Sequence, residues 1–168
     1  MKIKFLSLIV LGLVASTALA EEKVTLTGVH NCCKKCTEGL NKAVSNAPGV
    51  TATITKSTIV LAGGTTEDIQ KAVDSIVAAG YTGASDNAKV KVNAGTGKDG
   101  MVSELTVSGV HMCCAKCVTA AEKAIKSVEG VKSDNVAKGV DTFKVEGNFN
   151  AKALMEALDK AGFTGKAQ

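Results

Sequence analysis

The chain has no arginine, no tryptophan and a single tyrosine in 168 residues, so every basic side chain is a lysine. Base readout and forked grips on phosphate favour arginine, and single-strand binding needs aromatic stacking platforms. These absences argue against a nucleic-acid partner. The lysines are mixed with acids rather than gathered into a stripe, which describes an ordinary solvated surface. Cysteine is missing everywhere except in two short windows, one holding Cys32, Cys33 and Cys36, the other Cys113, Cys114 and Cys117. A disulfide framework needs distant partners, and a bridge inside either window would close too small a loop to restrain the unfolded chain. The thiols therefore point to sulfur chemistry rather than to stapling. The chain also lacks a carboxylate pair, a phosphate-cradling glycine loop and a nucleophile–base spacing, so nothing in it suggests an enzyme.

One apolar run stands out, FLSLIVLGLVASTA, preceded by Lys2 and Lys4 and closed by Ala18-Leu19-Ala20. It is too short to span a bilayer comfortably and reads as a secretory signal peptide over residues 1–20. The mature chain would begin near Glu21, and no later stretch is long enough to cross a membrane. Cleavage removes two lysines and lowers the formal charge from +4 to +2. The expected location is periplasmic or secreted, without membrane insertion.

The rest of the chain is one unit written twice. Gly28-Val29-His30 recurs as Gly109-Val110-His111, and Gly49-Val50 as Gly130-Val131, both at an offset of 81. Ala79-Gly80-Tyr81-Thr82-Gly83 matches Ala161-Gly162-Phe163-Thr164-Gly165 at an offset of 82. Such agreement across a whole unit indicates a tandem duplication. It divides the chain into a first domain at 21–92, a small polar linker at 93–100 expected to be flexible, and a second domain at 101–168.

Each unit repeats one order of elements. Lys23–Val29 alternates apolar and polar residues, the period of a half-buried strand. A helix is predicted from about Cys33 to Ser45, because Cys36, Leu40, Ala43, Val44 and Ala47 share one face of a 3.6-residue repeat. Cys117, Ala121, Ala124, Ile125 and Val128 repeat that face, and Pro48-Gly49 ends the first helix. Strands are expected at Val50–Thr55 and Thr58–Ala62, with weaker counterparts near Lys132–Lys138 and Asp141–Gly147. Thr66 and Asn150 are the expected N-caps of second helices, and a last strand should leave each glycine–aromatic pair. The order β-α-β-β-α-β is the ferredoxin-like split unit, so the expected fold is α+β, two such domains in tandem.

Thiolates are soft ligands that select Cu(I), Zn(II) and Hg(II). Cys33 and Cys36, or Cys114 and Cys117, lie at i and i+3 near a helix start, where both sulfurs can approach one ion. The helix N-terminus stabilises the thiolate form. Two sulfurs suit a linear Cu(I) or Hg(II) site. Adding Cys32 or Cys113 permits a trigonal site, and adding His30 or His111 completes a zinc-compatible Cys3His set. Lys34, Lys35 and Lys116 read either as charge compensation or as plain helix-start lysines. Met112 reads as a core plug, and Tyr81 and Phe163 as core residues.

In its element order and loop the chain resembles the heavy-metal-associated domain family, a ferredoxin-like fold carrying Met-x-Cys-x-x-Cys. Met112-Cys113-Cys114-Ala115-Lys116-Cys117 fits at every fixed position; Asn31-Cys32-Cys33-Lys34-Lys35-Cys36 fits except for asparagine in place of methionine. Gly80-Tyr81 and Gly162-Phe163 match a pair common in the family. Two features depart from it: a longer loop with a histidine, and a cysteine just before the usual pair, resembling the Cys-Cys-x-x-Glu loops of some zinc-exporting pumps. The resemblance implies a soft-metal carrier, buffer or metallochaperone with one site per domain, like periplasmic mercury- and copper-binding proteins. Cu(I) is the favoured cargo, with Zn(II) and Hg(II) as alternatives. The implied partner is a metal transporter or another metal-binding protein, and the chain is expected to be a monomer. A thiol–disulfide redox protein cycling Cys33–Cys36 and Cys114–Cys117 is the competing reading, and an adaptor assembled through metal bridges a third.

Overall fold

A computed structural model describes residues 21–168; the signal-peptide reading falls on residues outside this range. The first unit runs β1 (Lys23–Thr27), α1 (Lys34–Val44), β2 (Thr51–Ile54), β3 (Thr58–Ala62), α2 (Thr66–Ala78) and β4 (Ala84–Ser85). The second runs β5 (Met101–Ser108), α3 (Ala115–Lys126), β6 (Val131–Asp134), β7 (Phe143–Asn150), α4 (Ala151–Lys160) and β8 (Lys166–Ala167). The antiparallel sheets have strand orders β2-β3-β1-β4 and β6-β7-β5-β8, so both units are ferredoxin-like. Among the described residues, no helix is long and apolar enough to cross a membrane.

The helices form where the apolar period places them. In α1, Cys36, Leu40, Ala43 and Val44 are buried, and in α3, Cys117, Ala121, Ala124 and Ile125. The strands behind them turn Val24, Leu26, Ile59 and Leu61, or Val107, Phe143 and Val145, into the core. Thr65, not Thr66, caps α2: its hydroxyl accepts from the Asp68 amide while the Asp68 carboxylate accepts from the Thr65 amide. Both threonines are adjacent, and only Thr65 stands three residues before a carboxylate, which completes a capping box. Asn150 caps α4 as expected.

Three further expectations need correction. The weak strands of the second unit shift to Val131–Asp134 and Phe143–Asn150, with a register irregularity between Val131 and Ser133. Residues 93–100 lie against the second unit rather than free of it. The Gly95 amide donates to Thr164 Oγ1 at 2.7 Å, and a Cβ on Gly97 would meet the Ala151 carbonyl at 2.4 Å.

The third concerns the glycine–aromatic pairs, which do not open long strands; β4 and β8 are two residues each and begin further on. Instead Tyr81 and Phe163 form an antiparallel bridge to one another, joining the units. The exchange is reciprocal at the repeat offset: the Thr82 amide donates to the Gly162 carbonyl at 3.3 Å and the Thr164 amide to the Gly80 carbonyl at 3.2 Å. Thr82 Oγ1 adds a 2.7 Å bond to Asp159 Oδ1. Gly80 and Gly162 have φ of +85° and +83°, and a Cβ on either would lie 2.5 Å from backbone of the opposite unit. Glycine here serves both a left-handed turn and a close approach.

Candidate metal centre

The bridge between the units sets their two cysteine loops face to face. Cys33 and Cys114 occupy the N-cap positions of α1 and α3 without a side-chain capping bond, so their sulfurs remain available. Cys36 and Cys117, one turn in, are fully buried, while the other four are half-buried. All six thiols are free and converge in one place. Within the units, Cys36 Sγ lies 3.7 Å from Cys32 and 3.6 Å from Cys33; Cys117 Sγ lies 3.8 Å from Cys113 and 3.5 Å from Cys114. Between the units the separations are as short: Cys32–Cys114 3.4 Å, Cys36–Cys113 3.5 Å, Cys32–Cys117 3.6 Å, Cys33–Cys113 3.7 Å and Cys36–Cys117 3.8 Å. The expectation of one separate site per domain therefore gives way to a single cluster. The docking of the two units, which no repeat within either unit encodes, is the cause.

Both histidines join it from the opposite side of the interface. Each stacks on the aromatic of the other unit, His30 on Phe163 and His111 on Tyr81, with ring centroids 4.3 Å apart in both cases. Ligand atoms of Cys36, His111, Cys113 and Cys117 lie within 4.8 Å of one another, as do those of His30, Cys32 and Cys117, and of Cys32, Cys33 and Cys114. A Cys3His set thus exists, but its cysteines come from both units rather than from one loop. Burial holds both imidazoles below the usual histidine range, favouring the neutral form that binds metal.

The two histidines are not equivalent. Tyr81 Oη lies 2.7 Å from His111 Nε2 and 3.3 Å from the Cys36 carbonyl. One arrangement satisfies both contacts: the phenol donates to the carbonyl and accepts from Nε2–H, leaving the His111 Nδ1 lone pair for a ligand. Phe163 offers no such oxygen, and His30 Nε2 is buried without a partner.

Six thiols this close cannot all ionise, because each thiolate disfavours the next. Cys114 falls to about 6: burial opposes the shift, but the Cys117 amide and the thiols of Cys32, Cys117 and Cys33 donate to its sulfur and prevail. Cys36 is lowered against the same opposition, by the Cys32 amide and the thiols of Cys113, Cys33 and Cys32. Burial pushes Cys32 up to about 12 and raises Cys113 and Cys117 as well, so these three keep their protons and donate toward Cys114 and Cys36. The metal-free cluster is a hydrogen-bonded network of thiols in which Cys114 and Cys36 are the most readily ionised of those shifted.

The remaining candidates divide cleanly. Met112 is buried under its loop, and Tyr81 and Phe163 are fully buried, as core residues should be. Lys34, Lys35 and Lys116 are exposed, and Lys34 reaches Glu38 at 3.7 Å on the solvated helix face. The sequence reading passed over Gly39 and Ala120, equivalent at the offset of 81. A Cβ on Gly39 would lie 2.7 Å from Tyr81 Oη, so the glycine makes room for the hydroxyl that Phe163, opposite Ala120's half of the repeat, lacks. The signal was present as a paired difference between the two copies.

Residues 104–164, most of the second unit, match the heavy-metal-associated domain family. Two solved structures are also similar to the chain: the solution structure of the N-terminal soluble domains of Bacillus subtilis CopA, at 23% identity, 88% coverage of this chain, 94% of that one and a TM-score of 0.30; and the water-soluble region of the P-type ATPase CopA from the same organism, at 22% identity, 88% and 91% coverage and a TM-score of 0.28. The matched span contains the second unit's whole cysteine loop and the Gly162-Phe163 pair, which supports heavy-metal binding by its clustered cysteines.

Proposed function

We propose that the protein is an exported binding protein for soft metal ions, built of two heavy-metal-associated domains at 21–92 and 101–168 joined through 93–100. One observation carries this reading: six free thiols and two neutral histidines gather at one interface. The ligands are Cys32, Cys33, Cys36, Cys113, Cys114 and Cys117, supplemented by His30 or His111. Cu(I) is the favoured cargo, because an all-thiolate site suits it and the export route leads to a compartment where a carrier or buffer is useful. An incoming thiol from a metal transporter or another metal-binding protein would displace one sulfur at a time, and half-buried Cys33 and Cys114 give it access.

The competing redox reading draws on one specific contact, Cys32–Cys114 at 3.4 Å with Cys114 as a ready thiolate. Titration of the reduced chain with Cu(I), Zn(II) and Hg(II) under native mass spectrometry, against competing chelators, separates the two. Uptake that is lost in the Cys33→Ser, Cys114→Ser double variant is the expected outcome. No uptake of any soft metal together with rapid disulfide exchange would overturn it.

A further inference from the structure

We infer that the two units do not hold one ion each but share a single polynuclear thiolate cluster, in which the sulfurs of Cys36 and Cys117 bridge between metal ions. This deepens the soft-metal reading above and rests on it.

The argument is geometric. The close sulfur pairs form four triangles that share edges: Cys33–Cys36–Cys113, Cys36–Cys113–Cys117, Cys32–Cys36–Cys117 and Cys32–Cys114–Cys117. Every triangle mixes sulfurs of both units. Three-sulfur coordination at these separations is therefore a joint property of the pair of units. Cys36 and Cys117 each belong to three triangles and share the central edge, and they are the two fully buried cysteines. Cys32 and Cys113 belong to two, and Cys33 and Cys114, at the ends, to one.

The edge lengths discriminate between coordination modes. With a metal–thiolate bond of about 2.3 Å, a linear site separates its sulfurs by about 4.6 Å, a trigonal site by about 4.0 Å and a tetrahedral one by about 3.8 Å. The observed range of 3.4–3.8 Å requires small expansion for the last two and a large one for the first. The band accommodates d10 ions in two ways. Four trigonal Cu(I) ions can sit on its four faces. Alternatively, the faces pair into two four-sulfur sets, Cys33–Cys36–Cys113–Cys117 and Cys32–Cys36–Cys114–Cys117, each with five short edges and sharing the Cys36–Cys117 edge; drawing Cys33 toward Cys117 and Cys114 toward Cys36 would close them around two Zn(II). Charge points the same way: six thiolates carry −6, and four Cu(I) or two Zn(II) each reduce this to −2. A single Cu(I) would leave most of the thiols protonated or a half-buried site with large negative charge.

The test compares the reduced full chain with two loop knockouts, Cys32, Cys33 and Cys36 all to Ser, and Cys113, Cys114 and Cys117 all to Ser. The probes are Cu(I) and Zn(II) added separately, with native mass spectrometry for stoichiometry and X-ray absorption for metal–metal scattering. Expected are more than two and up to four Cu(I), or two Zn(II), filling cooperatively with a short metal–metal vector. Each knockout should fall well below half the wild-type capacity and lose that vector. Cys117→Ser alone should weaken metal held by the first unit's sulfurs. Two ions filling independently, with each knockout keeping half of them, would overturn the shared cluster while leaving the soft-metal function intact. No uptake of either ion defeats the function and the cluster with it. Circular dichroism of the metal-free variants identifies any that fail to fold; a Cys117→Ala variant then takes the place of Cys117→Ser.

Discussion

Tyr81 of the first unit places its hydroxyl 2.7 Å from His111 Nε2 of the second, in space that exists because residue 39 is glycine. Gly39→Ala should drive a methyl against that oxygen and destabilise the protein by about 1–3 kcal/mol, less the helix propensity that alanine returns. Tyr81→Phe should cost about 0.5–1.5 kcal/mol through the lost bonds. The double variant reproduces the Ala120–Phe163 pairing of the second unit, so it should be more stable than Gly39→Ala alone. Urea unfolding of the four proteins closes the cycle; additive effects would show that the methyl and hydroxyl do not compete.

The thiol network sets a pH order of reactivity. Cys114, held at about 6, is thiolate above that pH and loses its charge below it, whereas Cys32, pushed to about 12, stays protonated across the neutral range. In reduced, metal-free protein, iodoacetamide at pH 7 should therefore modify Cys114 first, with a rate that rises through pH 6 and then levels. Peptide mapping after short pulses measures it. Equal labelling of Cys32 and Cys114 at pH 7 would refute the order.

Gly162→Ala should separate the units, because its Cβ would meet the Gly28 carbonyl and the His30 amide at 2.5 Å. Gly49 provides the control: its φ of +85° is as demanding, but nothing lies within 4 Å of its missing Cβ. Small-angle scattering should show an enlarged radius of gyration for Gly162→Ala and an unchanged one for Gly49→Ala. An unchanged value for both would count against the docked arrangement.

The capping box of α2 gives an acid signature. Hydrogen bonds from Lys71 and from the Thr65 amide and hydroxyl hold Asp68 at about 2, below its usual 3.8. A carboxylate lowered in the folded state contributes its stability fully above the unfolded value and loses it as pH falls through the folded one. The window is therefore roughly pH 4 to 2, and Asp68→Asn should flatten the urea midpoint across it. Thr65→Ala should cost about 1 kcal/mol at neutral pH.

The order of elements was legible because the apolar period of α1 and α3 is strict and doubled by the repeat. The second unit's β6 was harder to read, since Lys132, Ser133 and Asp134 carry no alternation strong enough to fix a register that in fact shifts. The loop cysteines and histidines were legible as candidate ligands by residue type and spacing, and the structure brings them together. Their meeting was not. Tyr81 and Phe163 were read as core residues and are buried, but no local pattern says that each buries itself against the other copy's histidine. Docking is encoded in contacts between distant residues such as Thr82 and Asp159, and a reading that works by local periodicity does not reach them.

The reciprocal bridge between Tyr81 and Phe163 is the geometry of a two-fold symmetric dimer drawn within one chain. In a dimer of identical subunits, any change at position 39 or 81 would appear on both sides of the axis at once. Covalent duplication removes that constraint. One half can carry glycine with tyrosine and restrain the other half's histidine, while that half carries alanine with phenylalanine and leaves the first half's histidine unpaired. A centre that symmetry would make uniform thus has two chemically distinct ends, one imidazole held by a phenol and the other with a buried nitrogen that has no hydrogen-bond partner.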